Sequence, residues 1–132
     1  MKGSEIMPKS IKDIGQYVSS VLQVQQASIA YTDSAKKLFD IPDGAKIHNI
    51  HMDITTGFNG TTPTYDLGYA ADADAFLDGA TLPSTAIRST ATPPTATIAQ
   101  WNGVTSGKLI GTFVGGGSNT AGAGIIKVAY YL

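Results

Sequence analysis

The residues best equipped for chemistry are His48, His51 and Asp53, which fall inside the run AKIHNIHMDITT. These are the chain's two histidines. On a regular strand, positions three apart point to opposite faces, so His48 and His51 cannot share one metal unless a bulge intervenes. Asp53 falls on the face of His51, and that pair needs a third ligand from elsewhere to hold a metal. A polar outer face is the competing reading. A second acidic group, Asp72, Asp74 and Asp78 in DADAFLD, alternates as calcium loops do. The glycine and distant glutamate of an EF-hand are missing. Carboxylates so placed also suit a helix start, where they meet the positive end of the dipole.

Other chemistries lack their parts. Gly115-Gly116-Gly117-Ser118 is glycine-rich but has no lysine after it, so it reads as a hairpin loop and not a phosphate cradle. No serine sits in a Gly-x-Ser-x-Gly elbow. Asp66 and Asp72 could pair for glycoside hydrolysis, yet nothing singles them out. The chain has no cysteine, which removes disulfides, thiolate metal sites and thiol nucleophiles together. After Asp78 there is no acidic residue, and the remaining charges are Arg88, Lys108 and Lys127. The expectation is a protein without catalytic residues, metal or cofactor.

The elements that must carry these residues are those of one domain. The chain has 132 residues and a formal net charge of −1, and 14% of its residues are charged. An ordinary domain has about 25%. No basic patch suggests nucleic acid. MKGSEIMPKS lacks the apolar stretch of a signal peptide, and no run reaches the roughly 20 apolar residues of a spanning helix. The expectation is a soluble chain made in the cytoplasm, with no nucleic-acid or membrane partner. Low charge with abundant Thr and Gly suits a surface that meets other protein.

Residues 1–26 carry Ile11, Ile14, Val18, Val21 and Leu22 at three- and four-residue spacing, as in an amphipathic helix. Gly15 and the valines and serines weaken that reading, and an extended arm that orders on a neighbour fits as well. From Ala27 the period changes to two. Ala27–Thr32, Lys36–Ile41, Ala45–Thr56, Tyr65–Ala71, Ala96–Trp101, Lys108–Val114 and Ile125–Leu132 read as strands. Asp72–Leu82 reads as a loop with a short helical turn. Pro83–Thr97, with Pro93-Pro94, reads as an edge segment or an excursion. Asn59-Gly60 and Asn102-Gly103 read as hairpin turns. The last strand is apolar on both faces, which places it centrally.

The pattern predicts an all-β fold, an antiparallel β-sandwich or jelly-roll-like domain over 27–132, with an N-terminal arm or short helix over 1–26. The core is expected at Ile50, Met52, Ile54, Leu67, Leu109, Phe113, Ile126 and Val128. Trp101 with Tyr65, Tyr69, Tyr130 and Tyr131 could line a sugar or protein contact, or fill the core.

The run IPDGAKIHNIHMDITTGFNG, then YDLGYAADADAFLDGATL, then a Gly-rich linker and a closing strand ending Tyr-Tyr-Leu, resembles small structural proteins of tailed bacteriophages. The matching residues are Pro42, Gly44, Ala45 and Ile47, then Gly68, Ala70, Asp72, Asp74, Phe76 and Leu77. The resemblance covers about residues 38–132 and leaves 1–37 outside it. It implies a capsid decoration or cement protein on the virion surface. Its partners would be the major capsid protein and further copies of itself, as a homotrimer. Contacts are then expected from Ile11, Ile14, Val18 and Leu22 of the arm and from Trp101. The alternative is a receptor-binding or fibre-tip module that recognises a host-surface glycan.

Overall fold

The computed structural model describes residues 21–91, 101–105 and 107–132. Eight strands follow in order: β1 Gln23–Ala30, β2 Lys36–Asp40, β3 Lys46–Thr56, β4 Thr64–Tyr69, β5 Asp72–Thr81, β6 Ile87–Ala91, β7 Lys108–Val114 and β8 Ala123–Tyr131. They form two four-stranded sheets, β1-β8-β3-β6 and β2-β7-β4-β5. Every strand pair is antiparallel. The nested pairs β1/β8, β2/β7, β3/β6 and β4/β5 describe one long ribbon, folded at the β4–β5 turn and rolled so that successive pairs alternate between sheets. This is the strand order of a jelly-roll-like sandwich.

The core lies between the sheets. Ile29, Ile50, Met52, Ile54, Ile126 and Val128 line the inner face of the first sheet, and Tyr65, Leu67, Leu77 and Leu109 line that of the second. These include seven of the eight residues expected there; the eighth, Phe113, is partly buried and stacks on Phe58 at 5.8 Å. β8 is central, between β1 and β3. Ile54→Ala is expected to destabilise the fold by about 2–5 kcal/mol, through lost burial and the cavity left behind. Urea unfolding checks it, and an unchanged midpoint would show that the residue does not face the core.

Three local expectations need correction. The segment from Asp72 is not a loop with a helical turn: it is β5, an edge strand. Its register against β4 slips twice, between Tyr65 and Leu67 and between Leu67 and Tyr69. The extra residues leave Ala75, Phe76 and Leu77 buried in succession, which hides the two-residue period. Gly79 takes a φ of +70° next to one of these bulges, and its N–H is bonded at 2.7 Å to Asp66 Oδ1.

The asparagine–glycine and glycine-rich turns make no hairpins. Residues 57–63 join β3 to β4 and residues 115–122 join β7 to β8, each crossing from one sheet to the other. The Asn102-Gly103 turn lies in the connection from β6 to β7, which also changes sheets. Asn59 clasps two of these crossovers together: its Oδ1 accepts from Thr120 and Ala121 N–H at 2.8 and 3.0 Å, and its Nδ2 donates to Thr120 Oγ1 at 2.7 Å. The hairpin among the described strands, β4–β5, turns at Ala70-Ala71.

β1 starts at Gln23, so residues 23–26 belong to the first sheet, paired with residues 127–130 of β8. The expected strand Ala27–Thr32 ends early, because Tyr31 and Thr32 turn and Asp33 N–H closes on Ala30 C=O at 3.1 Å. Most of the expected strand Ala96–Trp101 lies outside the described residues.

Candidate binding surfaces

The outer face of the first sheet carries the histidine run. β3 has a bulge between Ile47 and Asn49, which is where His48 sits. The bulge removes the geometric objection to a shared face, but His48 packs edge-on against Tyr131 at 5.5 Å and 71°. His51 is paired in register with Lys127. Asp53 takes both nearby cations, with Lys127 Nζ at 2.9 Å and Arg88 Nε at 3.5 Å. The hydrogen bond from Lys127 holds the Asp53 carboxyl below its ordinary range, helped by the charges of Arg88 and His51. Asp53 is thus engaged in a cross-strand ion pair. Among the described residues no group of three or more His, Asp or Glu side chains is placed to hold a metal.

The second sheet bears the acidic group. Asp66 on β4 and Asp72, Asp74 and Asp78 on β5 act on one another across the hairpin. Asp74 holds its proton above the usual carboxylate range, first through a hydrogen bond to Asp72, then through partial desolvation and the neighbouring negative charges.

The most buried polar arrangement lies at the sandwich end near β1. Asp33 is 8% exposed. Its Oδ2 accepts from Tyr65 O–H at 2.6 Å and from Ala30 N–H at 2.9 Å, and its C=O accepts from Phe113 N–H at 3.0 Å. One residue therefore ties β1 in the first sheet to β4 and β7 in the second. The Tyr65 ring lies against Gly111, where a Cβ would collide with it. Burial, then the Asp33 carboxylate, push the Tyr65 hydroxyl well above the tyrosine range, so it stays protonated. The pair is a brace between sheets. Sequence reading missed it, because a lone Asp after a strand carries the signal of a turn.

Of the expected contact residues, Ile11, Ile14 and Val18 lie outside the described residues. Leu22 is 40% exposed and sits beside Val21 at 46%. Trp101 is 4% exposed, and its indole N–H donates to Phe76 C=O at 2.8 Å. Its ring is used inside the chain, as the core reading of the aromatics has it. Val24 and Leu132, at 59% and 58%, are the most exposed large apolar side chains described.

No protein-family model matches the chain, and no curated protein matches it. Solved structures do. A chain in the capsid asymmetric unit of cyanophage Pam1 superposes with a TM-score of 0.59 over 84% of both chains, at 20% identity. The fold is shared with a phage capsid structure. The acidic stable capsid structure of Helicobacter pylori bacteriophage KHP30 contains a second such chain, with a TM-score of 0.59 over 85% of this chain and 88% of that one, at 14% identity. The likeness is one of architecture.

Proposed function

We propose that this chain is a virion structural protein, a decoration or cement protein that binds the major capsid protein on the head surface through non-covalent contacts. The observation that carries the reading is the shared architecture, which covers more than four-fifths of this chain and of its counterpart in each of two phage capsid structures. The chemistry fits a structural role. Asp53 is held in an ion pair, Asp33 in an inter-sheet brace and Asp74 in an acidic face. A surface of low charge docks without burying unpaired ions, which are costly. Many weak contacts on a repeating lattice then act together through effective concentration. In this reading the protein is made in the host cytoplasm and acts as a homo-oligomer, a trimer being the form the resemblance implies. Glycan recognition through Trp101 would need that ring at the surface, and it is buried.

The N-terminal arm belongs to the proposal with its boundary moved. Residues 23–26 are part of β1, so the arm is the segment before Val21. Purified chain mixed with undecorated heads should sediment with them. A chain lacking residues 1–20 keeps every described strand, so its melting should be nearly unchanged while its binding to heads weakens by about tenfold or more. Full-length chain that ignores the heads would reject the capsid reading. A truncated chain that melts far below the full chain, yet binds heads normally once folded, would reject the arm alone.

A further inference from the structure

An asparagine or aspartate followed by glycine can close on the next peptide nitrogen, because glycine has no Cβ to obstruct the attack. The reaction is intramolecular and gains from proximity wherever the side chain is free to swing onto its own backbone. The chain has four such pairs: Asp43-Gly44, Asn59-Gly60, Asp78-Gly79 and Asn102-Gly103. They look alike in sequence, and the fold makes them unlike.

Three of the pairs are held. Gly44 N–H donates to Val104 C=O at 2.6 Å, and Asp43 Oδ1 accepts from Gly107 N–H at 3.0 Å. Gly79 N–H is committed to Asp66 Oδ1. The Asn59 carboxamide reaches across to residues 120 and 121, and it must leave all three of its bonds there before it can turn on Gly60. Asn102-Gly103 sits between two buried anchors instead. Trp101 is bonded to Phe76 C=O, and Val104 N–H donates to Ala45 C=O at 2.9 Å. Between them Asn102 is exposed, and a Cβ on Gly103 would meet no atom within 4 Å. Among the described residues, neither the Asn102 carboxamide nor Gly103 N–H has a hydrogen-bond partner.

We propose that Asn102-Gly103 is a self-modification site, at which the folded chain converts Asn102 to aspartate and isoaspartate and thereby loosens Trp101. The Gly103 backbone nitrogen attacks Asn102 Cγ. A nitrogen–Cγ bond forms, the bond from Cγ to Nδ2 breaks, and Nδ2 leaves as ammonia with the proton of the peptide N–H. Water then opens the cyclic imide at one carbonyl or the other. One product is aspartate; the other is isoaspartate, whose main chain runs through Cγ. Asn102 and Trp101 line a cleft with Lys46 and Ile47, so either product sets a carboxylate beside Lys46. Isoaspartate also lengthens the main chain by a methylene between the two fixed anchors, and Trp101 is the anchor next to it. The inference stands on this turn and does not need the capsid reading.

The full chain, held folded at physiological temperature and mildly alkaline pH, is sampled over time and mapped as peptides by mass spectrometry. Asn102 should gain the mass of an NH2-to-OH exchange at least about tenfold faster than Asn59. Isoaspartate at that position is read by methylation with an isoaspartyl methyltransferase. In the urea-unfolded chain the two sites should react at similar rates, because the fold alone separates them. Gly103→Ala, which meets no atom, should slow the step by about tenfold or more. The isoaspartate fraction, separated by anion exchange, should melt below the fresh chain, with the Trp101 fluorescence shifted to the red. Asn102→Asp has the charge with an ordinary main chain and should melt close to wild type. Folded chain in which Asn102 reacts no faster than Asn59, or an isoaspartate fraction that melts with the fresh chain, would overturn the proposal.

Discussion

Asp33→Ala is expected to destabilise the fold by about 1.5–4.5 kcal/mol, since one buried donor loses its acceptor at about 1–3 kcal/mol and one part-buried donor loses a bond worth about 0.5–1.5 kcal/mol. Those donors are Tyr65 O–H and Ala30 N–H, one from each sheet. Methyl cannot accept from either, and Tyr65 is packed too tightly against Gly111 to turn toward water. Urea unfolding at neutral pH reads the effect as a lower midpoint with an unchanged slope. Tyr65→Phe should cost less, because the Asp33 carboxylate keeps Ala30 N–H. It should also change the alkaline limb. The folded chain holds the Tyr65 proton above the ordinary value near 10, while the unfolded chain releases it there. Above about pH 10 the unfolded state binds fewer protons, so stability falls as pH rises, by up to about 1.4 kcal/mol per pH unit. In Tyr65→Phe that part of the fall should be missing. An Asp33→Ala midpoint equal to wild type would show that the brace holds nothing.

Trp101→Ala is expected to cost about 3–5 kcal/mol, the range for removing a buried large aromatic. The indole fills space against the core and bonds the carbonyl of Phe76 on the β5 edge, so the substitution opens a cavity and uncovers that edge. Trp101→Phe retains most of the packing and loses the hydrogen bond, and should fall between. As the chain's single tryptophan, Trp101 reports on itself: its fluorescence should be that of a buried indole and move to the red at the same denaturant midpoint as the circular dichroism. An alanine variant that melts like wild type would show that the ring does not support the core.

The class of fold was legible because period two is a local property. In Ala45–Thr56 the alternation of Ile50, Met52 and Ile54 with His51 and Asp53 names both a strand and its buried face, and the doubly apolar end of the chain names a central strand. Turn chemistry misled, because an asparagine–glycine pair permits a tight reversal without saying which strands it joins. Here both such turns lie in connections that change sheets, and the hairpin among the described strands turns on two alanines. β5 was missed because bulges destroy the period that defines a strand by eye. The Asp33–Tyr65 brace was invisible, since its partners are 32 residues apart and meet through the rolling of the ribbon.

The sequence by itself determined an all-β sandwich, the centre of its core from Ile50 to Val128, and a chain poor in the groups that catalysis needs. Burial of alternating apolar residues is enough for that, and it acts within each strand. Only the tertiary structure decided that Trp101 is core, that Asp53 is held by Lys127 and Arg88, and that Asp33 braces the two sheets. Those outcomes depend on registers between strands far apart in the chain, and a register is set by the packing of both sheets at once.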